Sequence, residues 1–166
     1  MPRGADIRRL LLLRHAHAEP AGESVEDVDR PLSARGRSEA LEAAECIAAG
    51  HLRCDLLLSS PALRARQTAT IVAAELDFPQ RPAIDADLYP GEPAAILRAL
   101  GRCAERYRSV LIVAHNPGIS ELAQRFHGGK PAVALGTAGL CLIELPADAS
   151  WQELKPRSTR RFTVLR

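Results

Sequence analysis

Four polar residues in this sequence are of the types that handle a phosphate group. They are Arg14, His15, Arg64 and His115, and each lies at or shortly after the end of a short apolar run. Arginine presents a fork of N–H donors that matches the oxygens of a phosphate dianion. A neutral imidazole is a nucleophile that can hold a phosphoryl group covalently, and a second, protonated imidazole could stabilise charge on the transferred oxygens. The residue types therefore indicate phosphoryl transfer.

The apolar runs are predicted strands, and their arrangement could bring these distant residues together. Residues 10–13, 55–60 and 110–114 are short and rich in leucine, isoleucine and valine, as buried strands are. In an open parallel sheet the carboxyl ends of the strands share one edge, and ligands bind in the crevice there. A single histidine after a strand is more often an ordinary loop residue. Four such residues at one edge indicate a site.

Helical patterns fill the segments between these strands. The predicted helices run from a Ser33 cap to Gly50, from a Ser60 cap through Pro61 to about Leu76, from Pro93 with a buried face that reaches Tyr107, and from Asn116 and Pro117 onward. Residues 140–145 and 151–154 are predicted as strands at the far edge of the sheet. This alternation predicts one α/β domain over residues 1–166 with a mostly parallel central sheet.

Composition narrows the class of protein. The 166 residues are 46% hydrophobic and 25% charged, which is typical of a globular domain with a full core. A net charge of +2 and 4% aromatic residues argue against a nucleic-acid partner. The four cysteines match no metal-ligand spacing. Residues 10–13 are too short an apolar run for a leader peptide, and no run reaches the roughly 18 apolar residues of a membrane span, so a cytoplasmic protein is expected.

Three segments of the sequence resemble the signature segments of the histidine phosphatase superfamily, which has the phosphoglycerate mutase-like fold. They read LLLRHAHAE, SSPALRARQTA and VAHNPGIS, and the stretch DRPLSARGR also resembles the region before the family's first helix. Order, spacing and short length are most similar to the SixA-type phosphohistidine phosphatases. The likeness covers residues 7–145 and implies a three-layer sandwich without a large cap insertion.

The resemblance also implies a role for each of the four residues. His15 is the nucleophile that becomes phosphorylated, Arg14 and Arg64 bind the phosphate, and His115 is the second histidine of the pocket. Water then hydrolyses the phosphohistidine, and neither a metal ion nor a cofactor is required. Ala16 stands where the family more commonly has glycine, and we expect its methyl group to be tolerated.

The expected general acid departs from the family pattern. Many members carry a carboxylate shortly after an apolar-aromatic pair, and in the segment LYPGEP that place is held by Pro90, which cannot donate a proton. Glu92 is the candidate replacement for this acid. An equally weighted alternative is that Glu92 is only an acidic residue at the N-terminus of the helix that begins at Pro93. His17 either contacts the substrate or only lines the mouth of the pocket.

The sequence thus predicts a metal-independent, monomeric phosphatase whose partner is a phosphorylated substrate, with protein phosphohistidine favoured. Expulsion of imidazole needs less help from an acid than expulsion of an alkoxide, so the loss of the acid favours P–N bonds. Two alternatives stay open. One is a phosphatase of a small phosphoester metabolite, and the other is a catalytically weak phosphate-binding module.

Overall fold

A computed structural model describes residues 7–166 of the chain. Residues 1–6 lie outside the described residues. They belong to the predicted domain and to the segment considered as a leader peptide. The strands are β1 (Ile7–Arg14), β2 (Leu56–Ser59), β3 (Ala83–Ile84), β4 (Ser109–Ala114), β5 (Leu140–Pro146) and β6 (Arg161–Val164). The α-helices are α1 (Ala34–Ala49), α2 (Leu63–Glu75), α3 (Pro93–Gly101) and α4 (Gly118–His127). Short 3₁₀ turns cover Asp27–Asp29, Ala86–Leu88 and Pro156–Ser158.

All six strands form one mixed sheet in the order β3-β2-β4-β1-β5-β6. Strands β3, β2, β4 and β1 are parallel, whereas β5 and β6 are antiparallel to their neighbours. The register aligns the ends of the parallel strands, because Arg14 pairs with Ala114 and Ser59 with Val113. The predicted mostly parallel α/β sheet is confirmed. The carboxyl ends of β1, β2 and β4 lie side by side at one edge of it.

The leucines of β1 supply both faces of the sheet. Leu10 and Leu12 pack in a core with Ile96 of α3, while Leu11 and Leu13 pack in a second core on the opposite face. Side chains of a strand point alternately to the two faces, so four consecutive leucines require cover on both sides. Helices α3 and α4 cover one face and α1 and α2 the other, which gives three layers.

The predicted start of α1 agrees with the structure, whereas the predicted start of α2 does not. Ser33 does cap α1, and its hydroxyl accepts from the Gly36 N–H at 3.0 Å. The expected Ser60 cap with Pro61 as first helical residue is wrong. Helix α2 begins at Leu63, and the Ser60 hydroxyl lies 2.7 Å from Nε2 of His115 and 3.2 Å from the Ala62 nitrogen. The Ser60 hydroxyl therefore contacts His115 and does not cap the helix as predicted.

The start of α4 also differs from the prediction. The cap position is Pro117, with no side-chain cap bond, and the predicted cap Asn116 is engaged elsewhere. The Asn116 Oδ1 accepts from the Ser120 hydroxyl at 2.6 Å, and its Nδ2 donates to the Leu135 carbonyl at 2.9 Å. Asn116 therefore joins α4 to a neighbouring loop.

The far edge of the sheet is β6, and the strand predicted for residues 151–154 is wrong. Trp151 is 1% exposed, its Nε1 donates to the Tyr107 carbonyl at 2.9 Å, and Arg8 lies 4.9 Å from its ring centroid. Burial of this large ring fixes a turn rather than an edge strand.

Helix α3 stops at Gly101, well before Tyr107, to which its buried face was predicted to reach. Within residues 7–166 no helix has the length and apolar character needed to cross a bilayer.

Candidate active site

The four residues singled out from the sequence meet at the carboxyl edge of the sheet. The rings of His15 and His115 lie 4.9 Å apart, centroid to centroid. Nε of Arg64 lies 3.3 Å from Nε2 of His15. The backbone of His15 is held on both sides, since its N–H donates to the Ala114 carbonyl and its carbonyl accepts from the Ala138 N–H. The end of β1 is thereby fixed between β4 and the loop before β5.

Hydrogen bonds around His15 assign the protons of its ring. Nδ1 lies 2.7 Å from the Ala16 carbonyl, and a carbonyl can only accept, so Nδ1 carries the proton. Nε2 then keeps its lone pair, which faces the Nε–H of Arg64. Burial, with Arg64, Arg14 and Arg30 nearby, lowers the pKa of His15 to about 4. At neutral pH the ring is uncharged and presents a nucleophilic nitrogen.

Thr68 ties the backbone next to His15 to the helix that carries Arg64. This fully buried residue accepts from the Ala16 N–H at 3.0 Å and donates to the Arg64 carbonyl at 2.8 Å. The methyl group of Ala16 is itself fully buried among the core side chains of that face. The substitution of the usual glycine by Ala16 is thus accommodated by the packing.

Arg14 is held by the loop before β5. Its Nη1 donates to the Leu135 carbonyl at 3.1 Å, the same oxygen that Asn116 contacts. The Leu135 N–H in turn donates to the Ser120 hydroxyl at 2.9 Å. Nε of Arg14 is buried and has no hydrogen-bond partner among the described residues. Burial also lowers the pKa of Arg14. Arg14 therefore has a donor available for an anion.

The surroundings of His115 favour a neutral ring, so the charge stabilisation considered for a protonated second histidine does not apply at neutral pH. Burial and the neighbouring His15, Arg64 and Arg14 lower the pKa of His115 to about 3, against a smaller opposing effect of Asp27. Its Nε2 lies 2.7 Å from the Ser60 hydroxyl, and its Nδ1 is buried with no partner among the described residues. A neutral imidazole with one uncommitted nitrogen can donate to a phosphate oxygen but does not supply full positive charge.

A carboxylate that the sequence patterns did not reveal occupies the outer side of Arg64. Asp27 Oδ2 lies 2.9 Å from Nη2 of Arg64 and 2.9 Å from the hydroxyl of Tyr89, and the Asp27 carbonyl accepts from Nη1. Arg30 forms an ion pair with Oδ1 at 3.3 Å. The Tyr89 ring packs edge-on against His115 at 5.4 Å. Asp27 lies in the connection between β1 and α1, and Tyr89 lies in the connection between β3 and α3.

The backbone behind His15 is fastened to α1 by a buried acid. Glu39 is 7% exposed, and its Oε2 accepts from the His17 N–H at 2.9 Å. Nδ1 of His17 lies 2.8 Å from the Ser33 hydroxyl. A Cβ on Gly36 would lie 1.9 Å from the His17 carbonyl oxygen, so only glycine allows this approach. These contacts hold the backbone and the ring of His17 against α1.

Glu92 is exposed and is the N-cap residue of α3, directly before Pro93. Its side chain makes no cap bond. Together with the exposed Pro90 it lines a cavity of about 380 Å³ that continues past Asn116 to Glu121. The cavity is lined by Asn116, the chain neighbour of His115, but by none of the four clustered residues, and no contact joins Glu92 to His15.

The remaining histidines lie away from the four-residue cluster. His51 is exposed after α1. His127 is the last residue of α4 and is half-buried. Its ring lies 5.0 Å from that of Phe162, and its Nδ1 is buried. Over the described part of the chain, no group of three or more His, Cys, Asp or Glu side chains is placed to hold a metal ion.

Comparison with known proteins agrees with this geometry. Residues 10–89 match the model of the histidine phosphatase superfamily (branch 1). An uncharacterized protein of Mycobacterium tuberculosis is 32% identical over 154 residues, which cover 87% of this chain and 92% of the relative. The phosphohistidine phosphatase SixA of Escherichia coli is 28% identical over 152 residues, covering 87% and 92%.

A solved structure shares the fold described above. The SixA protein of Agrobacterium tumefaciens superposes with a TM-score of 0.75 at 28% identity, covering 83% of this chain and 92% of that chain. The resemblance first recognised in the three sequence segments is thereby confirmed, as is the compact fold without a large insertion.

Proposed function

Since this chain belongs to the histidine phosphatase superfamily, we propose that it is a metal-independent phosphatase acting on protein phosphohistidine through a covalent intermediate on His15. Arg14, Arg64 and His115 bind the transferred phosphoryl group. The proposal extends to a single domain over residues 1–166 that works as a monomer in the cytoplasm.

One observation carries the proposal. The His15 ring is uncharged, its Nδ1 proton is committed to the Ala16 carbonyl, and its Nε2 lone pair faces the guanidinium of Arg64. A binding module would gain nothing from keeping an unprotonated nitrogen beside two arginines, because a cationic histidine would hold phosphate more strongly. A nucleophile requires this lone pair.

The reaction proceeds by two in-line displacements. Nε2 of His15 forms a bond to phosphorus while the bond from phosphorus to the leaving group breaks, and the electron pair of that bond departs with the leaving group. The oxygen of a water molecule then bonds to the phosphorus of phospho-His15 while the bond from phosphorus to Nε2 breaks. The electron pair returns to Nε2, which restores the free imidazole, and the product phosphate leaves with the oxygen and protons of the water. Arg14, Arg64 and the uncommitted Nδ1 of His115 stabilise the equatorial oxygens in both steps.

The choice of phosphohistidine follows from the residues at the expected position of the acid. Pro90 has no proton to give, and Glu92 is exposed at the start of α3. An alkoxide leaving group needs a positioned acid, whereas imidazole leaves readily. The similarity to the phosphohistidine phosphatase of Escherichia coli supports the same substrate class.

Trapping the intermediate tests the proposal. Wild type and His15→Asn are incubated with a protein labelled by ³²P on histidine, quenched in alkali and separated. Label should appear on the wild type, survive base and be lost in acid, as a phosphoramidate does. His15→Asn should neither turn over the substrate nor carry label, while the exposed His51→Asn behaves as wild type. Undiminished turnover by His15→Asn would remove His15 from the mechanism.

A further inference from the structure

Asp27 presents its carboxylate next to the nucleophile without touching it. The guanidinium of Arg64 joins the two groups: Nη2 lies 2.9 Å from Asp27 Oδ2, and Nε lies 3.3 Å from His15 Nε2. The side chain of Arg64 is 7% exposed and that of Asp27 is 54% exposed. The carboxylate therefore stands at the mouth of the site, on the side from which a substrate enters.

The orientation of this carboxylate is fixed by three groups. Oδ2 accepts from Arg64 and from the Tyr89 hydroxyl, and within residues 7–166 the charged partner of Oδ1 is Nε of Arg30, at 3.3 Å. Tyr89 is itself seated against the His115 ring. A carboxylate has about four acceptor positions, so Oδ1 keeps room for a further donor. A donor brought by the substrate would meet a preoriented acceptor.

The charge state makes Asp27 an acceptor and not an acid. The hydrogen bond from Tyr89, followed by the hydrogen bond and charge of Arg64 and the charge of Arg30, lowers the pKa of this carboxyl group. It is ionised at neutral pH and has no proton for an alkoxide. This excludes it as a simple replacement for the acid missing at Pro90.

A phosphohistidine substrate carries its own proton. Phosphorus is bonded to one ring nitrogen, and the other nitrogen can be protonated. Attack by Nε2 of His15 breaks the P–N bond, and the electron pair goes to the substrate ring nitrogen. If the distal nitrogen carries its proton throughout, the ring departs as neutral imidazole; without that proton it would depart as the much more basic imidazolate.

We propose that Asp27 is a specificity-determining residue that accepts a hydrogen bond from the distal N–H of a phosphoimidazole leaving group, and thereby selects P–N substrates over phosphate esters. The proposal rests on the proposed function and deepens it. It replaces a proton donor on the enzyme by an acceptor that keeps the substrate's own proton in place. Esters have no N–H at this position and therefore gain no hydrogen bond to the Asp27 carboxylate.

The ratio of two rates tests this role. The probes are phosphoimidazole and p-nitrophenyl phosphate, whose leaving group needs no acid. For Asp27→Asn, kcat/KM for phosphoimidazole should fall roughly 10- to 100-fold, the effect of one hydrogen bond to a charged group. The rate with p-nitrophenyl phosphate should change less than about threefold. The adjacent, exposed Glu26→Gln, which removes the same charge, should leave both rates unchanged, and Asp27→Glu should recover part of the selectivity.

Each other outcome overturns the proposal in a recognisable way. Equal losses on both probes would mean that Asp27 only positions Arg64. A larger loss with p-nitrophenyl phosphate would also overturn it, because Asp27 would then assist the ester more than the P–N substrate. Failure of the proposed function has a different signature, namely that wild type turns over neither probe or forms no phospho-His15.

Discussion

Thr68 and Ala16 are joined by a buried hydrogen bond of 3.0 Å, in which the Ala16 backbone N–H, next to His15, donates to a hydroxyl on the helix of Arg64. The same hydroxyl donates to the Arg64 carbonyl at 2.8 Å. One side chain thus sets the distance between the proposed nucleophile and the arginine that faces it.

Replacing Thr68 by valine keeps the shape and removes this link. The Ala16 N–H is left buried without an acceptor, which costs about 1–3 kcal/mol of unfolding free energy. The displaced His15 should also lower kcat/KM by roughly tenfold or more, because small misplacements of reacting groups are costly. Urea unfolding and steady-state kinetics measure the two effects. Thr70→Val, at an exposed position of the same helix, is the matched control; an equal effect there would refute the assignment.

The two histidines predict how stability depends on pH. Their folded pKa values of about 4 and about 3 lie below the unfolded value of 6.5. Between these limits the unfolded chain binds more protons, so the unfolding free energy falls as pH decreases from 6.5. While both rings stay neutral, the loss is about 1.4 kcal/mol per group and pH unit. Above pH 6.5 both rings are neutral in the folded and in the unfolded chain, so this loss of unfolding free energy is absent.

Urea unfolding at pH 7.5, 6.5 and 5.5 measures this slope before carboxylates begin to titrate. The double variant His15→Asn, His115→Asn should show a flatter dependence over the same range. The exposed His51→Asn should retain the slope of the wild type. A wild-type stability that does not change from pH 7 to pH 5.5 would contradict the buried neutral state of the pair.

Glu92 gives a prediction about esters. It remains a candidate acid, because it borders the cavity beside Asn116 and lies in a loop. Glu92→Gln should slow an alkyl phosphate more than phosphohistidine, since only the alkoxide needs a proton. Comparison of kcat/KM for the two substrates measures the difference, with Glu121→Gln, another exposed acid of the same cavity, as control. Comparable wild-type rates for the two substrates would instead favour a small phosphoester as substrate.

Metal chelation is expected to leave the activity unchanged. Arg14, Arg64 and the neutral His115 supply hydrogen-bond donors to the phosphoryl oxygens, so a metal ion is not needed to stabilise the charge there. Prolonged treatment with EDTA, followed by assay with and without added zinc or magnesium, measures this. Tungstate and vanadate, which imitate the tetrahedral and trigonal bipyramidal states of phosphorus, should compete with substrate. Loss of activity on chelation, restored by metal, would show that the phosphate pocket has been misassigned.

The convergence of Arg14, His15, Arg64 and His115 could be predicted because it follows from strand ends. Apolar runs are readable in a sequence, and parallel strands place their carboxyl ends at one edge. The wrong strand at residues 151–154 has the opposite cause. Trp151 has high strand propensity, but its burial against Arg8 and Tyr107 decided its conformation.

Asp27 and Tyr89 could not be found from periodicity. Each lies in an irregular loop, and each acquires its role only through a partner 37 or more positions away. Thr68 is hidden for another reason, since a threonine in a helical pattern carries no sign that its hydroxyl faces Ala16. Such side chains become recognisable only when the sheet has placed the loops above it.

The position of β1 inside the sheet has a consequence for biosynthesis. Leu10 pairs with Val110 on one side and with Ile143 on the other. A chain emerging from the ribosome therefore exposes its most leucine-rich strand first and obtains partners for it last, so non-local pairing delays folding. A nascent chain that ends before Leu140 contains Arg14, His15, Arg64 and His115 but leaves one side of β1 without hydrogen-bond partners. Until β5 is translated, that unpaired edge is a template for aggregation.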